Sequence, residues 1–205
     1  HTQDRWQTFD ATFREKLHLL NINRIIMKKK LIFLLCLIGL TSCEVASVDT
    51  DDPNYVYDGR GGIKCSANGE LLIPKVSFSG TGAEAELQFV SWNNENYMSI
   101  YFRDGGESPD FISQWIRIKV VDILPDSVIV GDIYSLENEL DSNTGKYRIN
   151  SAEYNYSTDD QNTGELKILY HDLENRILGG TFEYDAIDEN GVIVEIRNGE
   201  FDMKY

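Results

Sequence analysis

The chain has 205 residues, of which 34 are acidic and 19 are basic, and its formal net charge is −15. This acidic balance argues against a nucleic-acid partner, because dense phosphate charge is bound by basic patches. The length suits a short N-terminal leader followed by one domain with a sizeable core.

A stretch that resembles the N-terminus of a secreted protein begins only at Met27, after 26 other residues. Met27 is followed by three lysines and then by ten apolar or small residues, 31–40. This pattern is typical of a secretory signal peptide, since a membrane-spanning helix needs about 20 apolar residues. We therefore expect 27–42 to be the signal peptide, and 1–26 to arise by translation from upstream of the true start. The alternative for 1–26 is a cytoplasmic helix, because the segment has loose helical periodicity.

The signal peptide leads into Leu40-Thr41-Ser42-Cys43, which resembles the lipobox of bacterial lipoproteins. The resemblance implies that the Cys43 thiol receives a diacylglycerol, that cleavage occurs before Cys43 and that the new amine is acylated. Two or three acyl chains hold a protein in a bilayer almost permanently. The first expected partner is therefore a membrane, and the expected location is the outer membrane, facing either the periplasm or the cell surface.

Residues 43–54 are polar and acidic and have no hydrophobic period, so we expect a flexible tether between lipid and domain. The single domain is expected to span 55–205. Seven basic and three acidic residues precede Cys43, so the mature chain would carry a formal charge of −19. Cys65 is then the remaining thiol, which leaves no pair for an intramolecular disulfide.

The domain sequence consists of short alternating runs separated by turn residues. Alternation of period two, with many β-branched and aromatic residues, is typical of antiparallel strands. In 115–121, for example, Ile116, Ile118 and Val120 fall on one face. The predicted strands lie near 85–92, 97–103, 115–121, 127–134, 146–158, 164–171, 176–187 and 192–205. The pattern predicts an all-β domain, an antiparallel β-sandwich or an open barrel of about nine or ten strands.

The last predicted strand changes phase near its middle. Ile196 ends one alternating series, and Phe201 begins another that is one residue out of step. Asn198-Gly199 lies at the break, which favours a β-bulge with Gly199 at positive φ. The alternative is a tight type I′ hairpin, which would leave a short terminal strand.

The C-terminal stretch "GTFEYDAIDENGVIVEIRNGEFDMKY" (180–205) combines turn glycines with core aromatics. In this pattern it resembles a family of secreted lipoproteins of unknown function from Bacteroidota. We expect the similarity to extend over 60–205, where it includes "GDIYSL" and "YSTDDQNTGELKILYHD". It implies architecture and compartment and carries no catalytic residues. The residues that carry it are Gly180, Thr181, Phe182, Tyr184, Ala186, Gly191, Ile196, Asn198, Gly199, Phe201, Asp202 and Tyr205.

Residues suited to catalysis are scarce after Cys43. His171 is the single histidine of the mature chain and is expected to lie at the surface near a strand end, while Cys65 is expected in the core. A catalytic zinc site usually needs two or three histidines or thiolates. We therefore predict no enzyme, no catalytic residues, no metal site and no cofactor. Two routes stay open: a glycosidase that uses carboxylates alone, and calcium at the acidic turns 159–162 or 188–190.

Four aromatic residues are the candidate ligand face: Trp92, Tyr97, Tyr101 and Trp115. Tyr97 and Tyr101 alternate with apolar residues on their strand, so one of the two sets is expected to be exposed. The sequence predicts a lipid-anchored envelope protein with a non-catalytic binding or structural role. The alternative is a carbohydrate- or ligand-binding accessory lipoprotein of a glycan-uptake system, so the expected partner besides the membrane is a glycan or an envelope protein.

Overall fold

The computed structural model describes residues 48–74, 84–92, 95–105, 112–137, 142–149 and 155–205. All of them belong to one compact unit, Val45–Tyr205. Cys43, the predicted signal peptide 27–42 and residues 1–26 lie outside the described residues, so their predictions stay predictions.

The described residues fold into strands joined by turns, which confirms the all-β prediction. One 3₁₀ turn, Pro125–Ser127, is the helical element among them. The described residues form eleven strands, nine of which follow one another along the sheet, in agreement with the predicted nine or ten. They are β1 Gly62–Ala67, β2 Glu70–Leu72, β3 Ala85–Trp92, β4 Glu95–Asp104, β5 Gln114–Val121, β6 Ile133–Leu136, β7 Thr144–Ile149, β8 Tyr156–Ser157, β9 Gly164–Asp172, β10 Ile177–Ile187 and β11 Ile193–Lys204.

The strands form one antiparallel sheet in the order β2-β1-β11-β10-β8-β7-β5-β4-β3, and β9 joins β10 to β6. On one side, β10 pairs with β11 along its whole length. On the other side it pairs first with β9 and then, at Ile187, with β8. The sheet curls into a half-barrel, so the end of β11 reaches β3 and the rings of Phe89 and Tyr205 lie 4.8 Å apart. Of the two predicted architectures, this is the open barrel.

The core lies inside the curl and follows from the period-two alternation of the strands. In β5, Ile116, Ile118 and Val120 are buried while Trp115 and Arg117 are partly exposed on the outer side. The predicted inner and outer faces of this strand are confirmed. Cys65 is also in the core, as predicted, with 1% of its surface exposed. The outward side chains of each strand are therefore the ones available to a ligand.

The phase break in β11 is a β-bulge, as favoured from the sequence. Phe182 pairs with Gly199, but Tyr184 pairs with Ile196, so β11 holds one extra residue. The sequence predicted a positive φ at Gly199, but the structure has it at Asn198, with φ 52°. Glycine at position 199 lets β11 lie close to Phe182 of β10, because a Cβ there would be 2.4 Å from the carbonyl oxygen of Phe182. The bulge directs Ile196 and the later core residues of β11 to the same side.

Residues 48–61, which we call the strap, lie against the outer side of β10 and β11. Val48 is 1% exposed, and its N–H donates to the carbonyl of Gly61 at 2.9 Å. The Tyr57 ring packs where a Cβ on Gly179 would be and stacks on Tyr170 at 4.9 Å. The packed unit therefore starts before residue 55, the boundary expected from the sequence.

Asp202 on β11 fixes the strap. Its side chain is 0% exposed, yet it accepts a hydrogen bond from the Tyr55 hydroxyl at 2.9 Å. The backbone N–H groups of Asp58 and Gly59 donate to the same carboxylate at 3.1 and 2.8 Å. A buried carboxylate is tolerated when several donors replace water.

Candidate functional site

The outer side of the other half of the sheet is the candidate site. We call it the open face and define it as the outward side chains of β3, β4, β5 and β7. The pairing register places these side chains in rows across the four strands. The residues are Glu86, Gln88, Val90, Trp92, Glu95, Tyr97, Ser99, Tyr101, Arg103, Trp115, Arg117, Lys119, Val121, Lys146 and Arg148.

All four aromatic residues predicted as a ligand face lie on the open face. Tyr101 and Trp115 contact each other across β4 and β5, with ring centroids 5.8 Å apart. Tyr97 lies four residues before Tyr101 on the same side of β4. Trp92 is at the end of β3, diagonal to Tyr97, and is 71% exposed. The structure thus brings the four together, and their role in binding stays a prediction.

Basic side chains pack on these rings, a feature that sequence reasoning missed. The guanidinium carbon of Arg148 lies 3.6 Å from the Trp115 ring centroid, and that of Arg103 lies 4.9 Å away. The Lys119 ammonium lies 5.0 Å from the ring centroid of Tyr97. A cation over an aromatic face is attracted by the ring quadrupole, so these contacts hold the cations in place.

The charge of the open face is opposite to that of the chain. Its described residues include five cationic side chains and two carboxylates, Glu86 and Glu95. Within the described part of the chain, Arg117 and Lys119 take part in no ion pair. Charges of one sign gathered on one surface create a local potential that attracts the opposite sign. The open face is therefore suited to an anionic ligand.

A small depression borders the open face where β4 and β5 meet the next turn. It has a volume of about 350 Å³, and Tyr97, Lys119 and Asp122 are among its lining residues. Asp122 has a positive φ of 54°, and its N–H donates to the carbonyl of Asn96. This combination of an aromatic ring, an ammonium group and a carboxylate provides polar contacts beside the aromatic row.

A larger cavity of about 900 Å³ opens on the half of the sheet that carries the strap. Its lining includes Lys64, Lys167, Glu183 and Glu200, so both signs of charge are present. Glu200 accepts a hydrogen bond from the N–H of Thr50 and pairs with Lys64 at 3.4 Å. Lys64 and Glu200 therefore help to hold the strap and the strands together.

His171 lies next to the end of β9, as expected from the sequence. It is half-buried, with Nδ1 3.2 Å from the carbonyl oxygen of Val128 and Nε2 3.0 Å from the hydroxyl of Tyr205. A neutral imidazole that donates to the carbonyl and accepts from the hydroxyl satisfies both contacts. The sequence could not reveal these two contacts, because both partners come from distant parts of the chain.

The acidic turns use their carboxylates locally. Asp159 Oδ1 accepts hydrogen bonds from the N–H groups of Gln161 and Asn162, and these contacts lower the pKa of Asp159. Asp188 is held in the same way by the N–H groups of Asn190 and Val192. Such contacts are typical of turns. Among the described residues, no group of three or more His, Cys, Asp or Glu side chains is arranged to hold a metal ion.

Comparison with known proteins adds no relative. Neither a protein-family model, nor a curated protein, nor a solved structure matches the chain. The similarity to secreted lipoproteins therefore rests on the motifs quoted above and stays a prediction. In the ranges that the structure describes, no helix is long and apolar enough to span a bilayer.

Proposed function

We propose that this chain is a lipid-anchored, non-catalytic protein of the outer membrane that binds carbohydrate through the open face. One observation carries the binding proposal: four aromatic side chains from three strands share one outward side of the sheet. The flat face of an aromatic ring is apolar and carries partial negative charge, so it suits the polarised C–H groups of a sugar ring. A broad sheet surface also suits an extended polymer better than a small molecule, which prefers a deep pocket.

The anchor and the domain lie close together in the chain. Only residues 44–47 separate Cys43 from Val48, which is buried in the domain. Five residue steps span at most about 18 Å when fully extended. A lipid on Cys43 would therefore hold the domain next to the bilayer, where it would present a bound glycan to other envelope proteins.

The anchor is tested by fractionating cells that express the Cys43→Ala variant. We expect release of the protein from the membrane fraction, because the acylated thiol is lost. Cys65→Ala is the matched control and is expected to stay in the membrane, since Cys65 is a core residue. A Cys43→Ala protein that remains membrane-bound would contradict the lipoprotein proposal.

The binding face is tested with the intact lipoprotein in detergent micelles and a panel of neutral and charged glycans. We expect at least one glycan to bind, and Trp115→Ala and Tyr101→Ala to weaken it by about tenfold or more. Ile129→Ala is the control, because Ile129 is 66% exposed and lies outside the open face. Absence of binding across the panel, or equal binding by all variants, would reject the face. Glycan hydrolysis by the wild type would reject the non-catalytic role.

A further inference from the structure

We propose that the ligand of the open face is a carboxylate-bearing polysaccharide, a polyuronate. This inference rests on the proposed function and narrows its ligand class. It is carried by the juxtaposition of cationic side chains with aromatic rings in an otherwise acidic protein.

The cations recur at regular intervals across the strands. Trp115 pairs with Arg148, and the next outward position of β5, Arg117, pairs with Lys146. Lys119 follows in the third row. Outward positions on one strand are about 6.7 Å apart. A single small anion would engage one row, whereas a polymer with a charge on each sugar ring can engage all three.

The arginines match carboxylate chemistry in particular. A guanidinium that stacks by its face on an aromatic ring forms hydrogen bonds through its edge, in the plane where a carboxylate accepts two of them. Arg148 lies over the Trp115 ring at 3.6 Å. Arg117 in the next row is partly exposed and forms no ion pair within the described residues, so it can offer its edge to a carboxylate. Arg103 is buried beside the same ring, so it adds positive potential beneath the surface.

The charge distribution favours a polyuronate over a nucleic acid. Double-stranded DNA carries about one charge per 1.7 Å of its axis. Five cations surrounded by a chain of net charge −15 cannot balance that density. A polyuronate carries one charge for each sugar ring, and its ring faces can pack on Tyr101 and on the exposed Trp92. Repulsion from the acidic remainder of the surface would confine such a polymer to the open face.

The test compares two forms of one ligand on the intact lipoprotein in detergent micelles. Oligogalacturonate is the probe, and the same oligomer with its carboxylates methyl-esterified is the neutral control. We expect the free acid to bind at least about tenfold more tightly, and this preference to shrink as salt is raised. We also expect Arg117→Ala and Lys119→Ala each to weaken binding of the free acid by about tenfold. Neither substitution should alter binding of the ester.

The control variant is Lys167→Ala, which removes a lysine from the other half of the sheet and is expected to leave the affinity unchanged. Equal binding of the acid and the ester, or tighter binding of a sulfated galactan or of single-stranded DNA, would overturn the polyuronate assignment. If the panel also yields a neutral glycan whose binding depends on Trp115, the proposed function stands and only this inference fails. If no glycan of any charge binds, both are rejected.

Discussion

The outer surface of the sheet has two halves, the covered half that carries the strap and the open face. Both follow from the same strand alternation, but their outward side chains have different roles. Where the strap crosses β10 and β11 it covers their outward side, and the outward Asp202 is 0% exposed. On β3, β4, β5 and β7 the outward side carries large aromatic and basic side chains, most of them partly exposed. An outward polar group in the first half fixes the chain, whereas in the second half Arg117 and Lys119 form no ion pair within the described residues.

Side-chain size separates the two halves. Gly179 lies where the strap crosses the covered half, and a Cβ there would approach the Tyr57 ring to 2.3 Å. The corresponding surface of the open face holds Trp115, Arg117 and Tyr101 instead. Small residues allow a second layer of chain to approach, while large residues occupy that space themselves. The first half should therefore control stability and the second half binding.

The largest expected effect comes from removing the acceptor beneath the strap. Asp202→Ala leaves the Tyr55 hydroxyl and the backbone N–H groups of the strap without their buried partner. We expect a loss of about 3 kcal/mol or more in the free energy of unfolding, measured by chemical denaturation. Asp58→Asn, an exposed carboxylate paired with Arg60, is the control and should cost at most about 0.5 kcal/mol. A stable Asp202→Ala protein would show that the strap is not a structural part of the domain.

The second-largest loss of stability is expected from a substitution in the bulge of β11. Gly199→Ala places a Cβ against the backbone of Phe182, which cannot move without displacing β10. We expect a loss of about 2 kcal/mol in the free energy of unfolding. Asn198→Gly is the control, since glycine accepts the positive φ and the change should stay within about 1 kcal/mol. If both variants unfold like the wild type, the bulge does not constrain the covered half.

Alkaline pH should weaken the fold through buried tyrosines. Burial and the hydrogen bond to Asp202 raise the pKa of Tyr55 well above its ordinary value, and burial likewise raises the pKa values of Tyr134 and Tyr147. In the unfolded chain these hydroxyls ionise near pH 10. Their contribution is therefore fully present below about pH 10 and declines as the pH rises further.

This pH dependence is measured by denaturant unfolding at pH 8 and at several values above 10. Tyr55→Phe is expected to cost about 1 kcal/mol at pH 8, through the lost hydrogen bond, and to make the alkaline decline shallower. Part of the decline should persist, because Tyr134 and Tyr147 are retained. A decline of unchanged steepness in Tyr55→Phe would contradict the role given to Tyr55.

The smallest effect on stability is expected from the open face. Arg117→Ala and Lys119→Ala should change the free energy of unfolding by no more than about 0.5 kcal/mol, because within the described residues neither side chain forms an ion pair. The same variants are those expected to weaken polyuronate binding. A loss of stability as large as that of Gly199→Ala would mean that the two halves do not differ as described.

Local pattern was sufficient to predict the class of the fold and part of the site. The inner and outer faces of β5 follow from period-two alternation, which depends only on neighbours in the chain. The phase break at Asn198 predicted the bulge for the same reason. It did not reveal which residue takes the positive φ, because Asn and Gly both tolerate that conformation and the contact with Phe182 decides between them.

The sequence by itself determined the alternation, the acidic balance, the motif at Cys43 and the four aromatic candidates, all of which are properties of composition and short spacing. Only the tertiary structure decided which basic residues join those aromatics, since Arg103 and Arg148 reach Trp115 from two other strands through the pairing register. It also decided the contact between the strap and Asp202, whose partners Tyr55 and Asp202 lie 147 residues apart. Pairing over such separations is set by the summed packing of the whole sheet, because each strand must bury its inner face at once, and no short stretch of sequence encodes it.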